Sequence, residues 1–190
     1  MKIAITGGIG SGKSYVCKLL AARGIEIYDC DAAAKRLMRT SAALRQQLTC
    51  LIGADTYLPD GALNKAVVAK FLLASEANAH AIDAIVHPAV AQDFEQSGAQ
   101  WMECAILYES GFERLVDRVI AVTAPEKVRI SRVMQRDNVS EEQVRARMKT
   151  QMSDEERCKA ADFVICNDGK QTLLALTLEL LRKLNLPTNK

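Results

Sequence analysis

The sequence predicts an α/β fold of three αβα layers, in which a five-stranded parallel sheet carries helices on both faces. Three observations support it. Short apolar runs recur at residues 2–6, 25–28, 102–108, 118–123 and 163–166, with helical patterns between most of them. The runs are almost continuously apolar, as strands covered on both faces are, whereas a half-exposed sheet alternates. A glycine-rich segment, Gly7-Gly8-Ile9-Gly10-Ser11-Gly12-Lys13-Ser14, joins the first run directly to a helical pattern.

That segment has the form G-x-x-x-x-G-K-S between a strand and a helix, the arrangement that holds nucleotide phosphates. Val16, Leu19 and Leu20 follow it at helical spacing. Glycine lets the backbone crowd phosphate oxygens, so Gly8, Gly10, Ser11, Gly12, Lys13, Ser14 and Tyr15 are the candidates to meet a nucleoside triphosphate where the helix begins. Lys13 can reach the β- and γ-phosphates, and Ser14 can hold Mg²⁺.

The second run leads into Asp29-Cys30-Asp31. Ligands of open α/β sheets collect at the carboxyl ends of strands, which directs attention to these aspartates, to Glu109, to the residues after Thr123 and to Asn167. Asp31 is the candidate to orient and deprotonate an acceptor hydroxyl, and Asp29 to serve Mg²⁺ through water. Asp31 is also a chemically suitable N-cap for the helix that follows.

Some seventy residues separate the second and third runs, more than one crossover helix requires. Residues 32–100 are therefore expected to form a helical insert that holds a second substrate. Within it Ile82, Ile85, Val86, Ala89, Val90 and Phe94 make one apolar helical stripe. Pro88 should kink or restart that helix, because proline lacks an amide donor and clashes with the preceding turn. Leu58-Pro59-Asp60-Gly61 reads as a turn.

After the fourth run Ala124-Pro125 opens a helix with Arg129, Arg132 and Arg136 on one face. Asp137-Asn138 ends it. Ser140-Glu141-Glu142-Gln143 has the form of a capping box, Arg145 and Arg147 follow, and Ser153-Asp154-Glu155-Glu156 offers another cap. Residues 137–159 are expected to form a lid over the triphosphate, with Arg132 and Arg136 clamping the transferring phosphoryl group. The nucleotide-binding core then comprises residues 1–31, 101–136 and 160–190.

With 190 residues, 49% of them hydrophobic and 25% charged, the chain suits one compact domain with an inserted segment. A net charge of +2 with interleaved signs gives no field for nucleic acid or an anionic membrane. No apolar stretch approaches the roughly 20 residues that span a bilayer. The first strand begins at the N-terminus, so a cytoplasmic location without signal peptide is expected, as is a monomer or weak homo-oligomer. Six cysteines without a C-x-x-C pair read as reduced, mostly buried thiols, with Cys17, Cys104 and Cys166 in apolar surroundings and Cys30 between the two aspartates.

Two classes compete: a phosphotransferase with an acceptor substrate, and a nucleotide-hydrolysing regulator. A guanine-reading Asn-Lys-x-Asp is missing, since only Asn167-Asp168-Gly169 stands near its place, and no run ends in the Asp-Glu of motor ATPases. The motif set resembles the dephospho-coenzyme A kinase family. Residues 5–14 are similar to its loop, Asp29-Cys30-Asp31 to its Asp-x-Asp, and His87-Pro88 to its His-Pro pair. Leu107-Tyr108-Glu109-Ser110-Gly111 is similar to its third-strand ending, residues 132–136 and 147–151 to its lid, and residues 161–167 to its last strand.

The resemblance covers nearly the whole chain. It implies a P-loop kinase fold that phosphorylates the ribose 3′-hydroxyl of dephospho-CoA with ATP and Mg²⁺. It implies substrate contacts for Asp29, Asp31, His87, Glu109 and Arg136, and an adenine contact for Asn167. Where the family has Asp-x-Pro-Leu-Leu-Phe-Glu, this chain has Glu103-Cys104-Ala105-Ile106-Leu107-Tyr108-Glu109, so only Glu109 is carried over. Tyr15 replaces a common Thr or Ser, leaving Ser14 as the clear Mg²⁺ hydroxyl. A kinase for another small acceptor, of nucleoside monophosphate or shikimate type, and a regulatory ATPase are the alternatives.

Overall fold

The chain starts in the middle of its own sheet. β1 (Ile3–Thr6) is flanked by β3 (Trp101–Glu103) and β4 (Arg118–Thr123), with β2 (Ile27–Asp29) and β5 (Phe163–Cys166) at the edges, in the order β2-β3-β1-β4-β5. All five strands are parallel. Ile3 sits opposite Trp101 on one side and Arg118 on the other, and Ile120 opposite Phe163. Because β1→β2 and β3→β4 leave toward opposite edges, the loop after β1 lies at the switch point where α/β sheets bind ligands. The structure, a computed structural model, describes residues 1–184; residues 185–190, the end of the expected core segment 160–190, lie outside them.

All four residues of β1 and the central residues 119–122 of β4 are buried, as the continuous apolar runs require. α1 (Lys13–Ala21) turns Val16, Cys17 and Leu20 toward Ile3, Ile5, Trp101 and Ile120, and α9 (Leu173–Lys183) adds Leu180 and Leu181. β5 departs from the expectation of strands buried on both faces. It is an edge strand, Val164 and Cys166 are exposed, and only Ile165 is buried. The expectation of a buried Cys166 is corrected accordingly; Cys17, Cys30 and Cys104 are buried.

Two strands differ from their apolar runs. The run at 102–108 forms a strand only to Glu103, and the Cys104 amide still donates to Ile5 O at 3.0 Å. Beyond it the chain closes on itself, with Ser110 N on Ile106 O, Gly111 N on Tyr108 O and Phe112 N on Leu107 O. Leu107 is fully buried in these turns, and an apolar run does not by itself distinguish a buried turn from a buried strand. The run at 25–28 yields to Ile27–Asp29 because the Ile25 amide is used to end α1, donating to Leu20 O at 3.2 Å after Gly24 at φ +79°.

By backbone contacts the described residues group into two compact units, residues 1–28 with those from 99 onward, and residues 29–98. The second unit is helical: α2 (Cys30–Thr40), α3 (Ala42–Ile52), α4 (Lys65–Ala74) and α5 (Glu76–Ser97), capped in turn by Asp29, Ser41, Asn64 and Ser75. Ile82, Val86, Val90 and Phe94 form the buried stripe of α5. The expected restart at Pro88 does not occur, and α5 runs through it. The amide that Pro88 lacks would have served Ala84 O, and both residues lie on the exposed face, where water can take that carbonyl. Gly61 N donates to Leu58 O at 2.8 Å, closing the expected turn.

In the first unit α6 (Glu126–Asp137) ends at Asn138, whose φ of +52° is left-handed. α7 (Glu141–Lys149) and α8 (Asp154–Ala160) both begin with complete capping boxes, Ser140 with Gln143 and Ser153 with Glu156. Ile130, Val133 and Val144 bury one another between α6 and α7, and Ile9 packs against them.

Candidate active site

Gly10 at φ +79° and Gly12 at φ +99° give the loop after β1 its shape, since side chains rarely tolerate either angle. The loop is also crowded from outside. A Cβ at Gly10 would meet Arg129 O at 2.6 Å, and one at Gly7 would meet Ser11 Oγ at 2.7 Å. Ser11 N closes a turn on Gly8 O at 3.1 Å. Among the described residues the amides of Gly10, Gly12, Lys13 and Ser14 donate to no acceptor of the chain. These donors stand at the N-terminus of α1, an arrangement suited to an anion.

Lys13 and Ser14 share one acceptor. Lys13 Nζ donates to Glu103 Oε1 at 2.5 Å and Ser14 Oγ to the same oxygen at 2.7 Å. β3 is hydrogen-bonded beside β1, which places the last residue of β3 under the loop that leaves β1. Burial pushes the Glu103 carboxyl up, but the Lys13 hydrogen bond and charge, with Ser14 and Cys17, outweigh it and hold the group below the usual carboxylate value. The Glu103 carboxylate and Ser14 hydroxyl are hard oxygen donors of the kind Mg²⁺ prefers.

The arginines of α6 divide between two tasks. Arg132 Nη1 lies 3.4 Å from Gly10 O and 3.5 Å from Ser11 O, and its Nη2 lies 3.3 Å from Asn167 Oδ1. Asn167, buried at the end of β5, donates its amide to Ser11 O at 2.9 Å, so it holds the loop from the other side. Arg136 stands apart from the loop, exposed and bidentate to Asp137 at 2.7 and 3.0 Å, and Arg147 joins the same carboxylate at 3.0 Å. Glu109 accepts from Met152 N at 2.8 Å.

Three expected site residues belong to the helical unit. Asp29 Oδ1 accepts from Ala32 N at 3.0 Å, which makes Asp29 the N-cap of α2. Asp31 sits exposed in the first turn of that helix and carries no capping duty. His87 Nε2 lies 3.5 Å from Asp83 Oδ1 on α5.

The dephospho-CoA kinase family model matches residues 1–172. The chain belongs to the dephospho-CoA kinase family. A relative in Bacteroides fragilis named dephospho-CoA kinase is 43% identical over 188 residues, covering 95% of this chain and 91% of that protein. A crystal structure from Thermus thermophilus superposes with a TM-score of 0.85 at 31% identity, covering 98% of each chain. The dephospho-CoA kinase of Campylobacter jejuni, at 20% identity and a TM-score of 0.67 over 97% of this chain and 98% of its own, shares the fold.

Several side chains at the loop are given no site role by the sequence motifs. Glu103 stands in the stretch that diverges from the family pattern, yet it bonds both functional groups of the loop. A charged residue inside the otherwise apolar run 102–108 was the available signal. Arg129 donates to Ile9 O at 2.9 Å, Gln151 Oε1 accepts from Ile9 N at 2.9 Å, and Asp154 pairs with Arg129. Arg129 was legible as part of the arginine face; nothing local in the sequence marked Gln151 as a partner of Ile9 or Asp154 as a partner of Arg129.

Proposed function

We propose that this protein transfers the γ-phosphoryl group of ATP to the ribose 3′-hydroxyl of dephospho-CoA, giving coenzyme A and ADP. The observation that carries this reading is the loop itself: amides of Gly10, Gly12, Lys13 and Ser14 with no acceptor among the described residues, beside a lysine and a serine joined on Glu103, in a chain of the dephospho-CoA kinase family. Phosphoryl transfer has a loose transition state with charge spread over the equatorial oxygens, so catalysis is mostly positioning and neutralisation. In this reading Lys13 leaves Glu103 for the β- and γ-phosphates, the loop amides receive the β-phosphate, and Arg132 and Arg136 meet the transferring group. Ser14 and Glu103, with Asp29 through water, would hold Mg²⁺, which when bound neutralises phosphate charge. Asp31 orients the acceptor hydroxyl and takes its proton, while His87 and Glu109 contact the acceptor and Asn167 borders the adenine.

ADP release is the deciding measurement, followed with dephospho-CoA, AMP and shikimate offered separately. Turnover should depend on dephospho-CoA. Turnover with AMP or shikimate alone would identify a kinase of another acceptor, and release independent of any acceptor would identify a regulatory ATPase.

Arg136 must exchange Asp137 for phosphoryl oxygens, both of which accept a guanidinium through two bonds. Arg136→Ala should therefore lower kcat by about 10³-fold, the low end for an arginine that stabilises a transferring phosphoryl group. A kcat within a few-fold of the parent would remove Arg136 from the transition state and leave it as a partner of Asp137 only.

A further inference from the structure

Ile9 is gripped from three directions. Its amide donates to Gln151 Oε1 at 2.9 Å, its carbonyl accepts from Arg129 Nε at 2.9 Å, and its side chain packs against Ile130, Val133 and Val144. The Ile9 carbonyl and the Gly10 amide belong to one planar peptide and point in opposite directions. Whatever holds the carbonyl therefore aims the amide, and the Gly10 amide is one of those with no acceptor among the described residues. Arg129 thus acts on a phosphate donor without having to touch phosphate.

Arg129 is itself held. It is 6% exposed, and its second contact is an ion pair with Asp154. The two groups press on the loop together, since a Cβ at Gly8 would meet the Arg129 guanidinium, with Cζ at 3.0 Å, and Asp154 Oδ1 at 3.0 Å. Asp154 Oδ2 also accepts from Thr123 Oγ1 at the end of β4 at 2.8 Å, and Oδ1 from Arg157 Nη1 at 2.8 Å. Arg157 is 1% exposed, bonds Met152 O at 2.8 Å and faces Glu109 at 3.7 Å. Two buried guanidinium groups thus share one carboxylate, which a strand hydroxyl orients.

We infer that Asp154 is a positioning residue for nucleotide binding: it fixes the Arg129 guanidinium, which fixes the Ile9–Gly10 peptide and so aims the Gly10 amide at phosphate. This rests on the reading that the loop binds ATP. The chain of contacts joins α6, α8 and the end of β4 to the phosphate loop, so the state of the loop depends on an acid that the motif does not contain.

The test is direct equilibrium binding of ATP to the full-length protein, with melting temperature and steady-state constants measured on the same samples. Asp154→Asn should weaken ATP about ten-fold, as expected for losing a charge-assisted contact that orients a ligand-binding group, and leave KM for dephospho-CoA within about two-fold. Asp154→Glu should recover most of the loss. In the Arg129→Ala background Asp154→Asn should add less than about two-fold, because the two act in series. Thr123→Val, a milder change that keeps both charges, should weaken ATP about three-fold. If Asp154→Asn does not fold, Thr123→Val decides the matter. ATP affinity equal to the parent's in the folded variants, whatever their melting temperature, or additive losses in the double variant, would overturn the inference. A parent that binds ATP but does not turn over dephospho-CoA would overturn the acceptor assignment alone.

Discussion

Asp31→Asn is expected to lower kcat by about 10²- to 10⁴-fold, the range for losing a positioned general base, while ATP affinity stays within about two-fold of the parent's. The prediction is sharper than the sequence alone allowed. Asp31 had two possible duties, capping and catalysis, and the cap of α2 is made by Asp29 through Ala32 N. Asparagine keeps the size of the side chain, so the helix loses only a favourable charge in its first turn, worth about 0.3–1 kcal/mol at an exposed position. A melting-temperature change of that order with kcat collapsed would separate catalysis from folding. A kcat within a few-fold of the parent would mean that the acceptor hydroxyl needs no base at this position, which a loose transition state permits.

Lys13→Ala should lower kcat by at least about 10²- to 10³-fold, the effect of removing one donor aimed at developing charge. It should also destabilise the protein without ligand. Glu103 is largely buried, with only 14% of its side chain exposed, and would lose its positive partner. The net effect of burial, Lys13 and Ser14 is a carboxyl held below its ordinary value. The stabilisation it represents is therefore present above the ordinary carboxylate range and lost as pH falls through the lowered value. Adding Glu103→Gln to Lys13→Ala removes the unpaired charge, so the pair should regain stability in denaturant titrations and show no recovery of turnover. Activity within ten-fold of the parent in Lys13→Ala would refute the assignment of Lys13 to the phosphates.

The features legible in the sequence are those written within a few residues of one another. The strand–loop–helix at residues 3–21, the turn at 58–61, the end of α6 at Asn138 and the boxes at Ser140 and Ser153 each depend on local backbone chemistry, and each appears where the sequence places it. The apolar runs revealed the existence of the strands but not their limits. β3 stopped at Glu103 because residues 106–112 satisfy their own carbonyls in turns, and β2 started late because Ile25 was needed to close α1. The restart expected at Pro88 failed for a related reason: the penalty for breaking the helix depends on whether Ala84 O can reach water, which burial decides and sequence does not state.

The candidate site divides along the same line. Gly7 to Ser14 identified a phosphate loop by itself, and with the five motifs that follow it pointed to the dephospho-CoA kinase family, whose model matches residues 1–172. What only the tertiary structure decided is which side chains stand behind the loop. Glu103 reaches Lys13 across 90 positions and Arg129 reaches Ile9 across 120, because the order β2-β3-β1-β4-β5 sets the ends of β3 and β4 on either side of β1. Sequence spacing dictates contacts along a helix or through a tight turn, where the backbone geometry is known in advance. Contacts between strands depend on which strands become neighbours, and that is settled only when the whole sheet has buried its apolar faces.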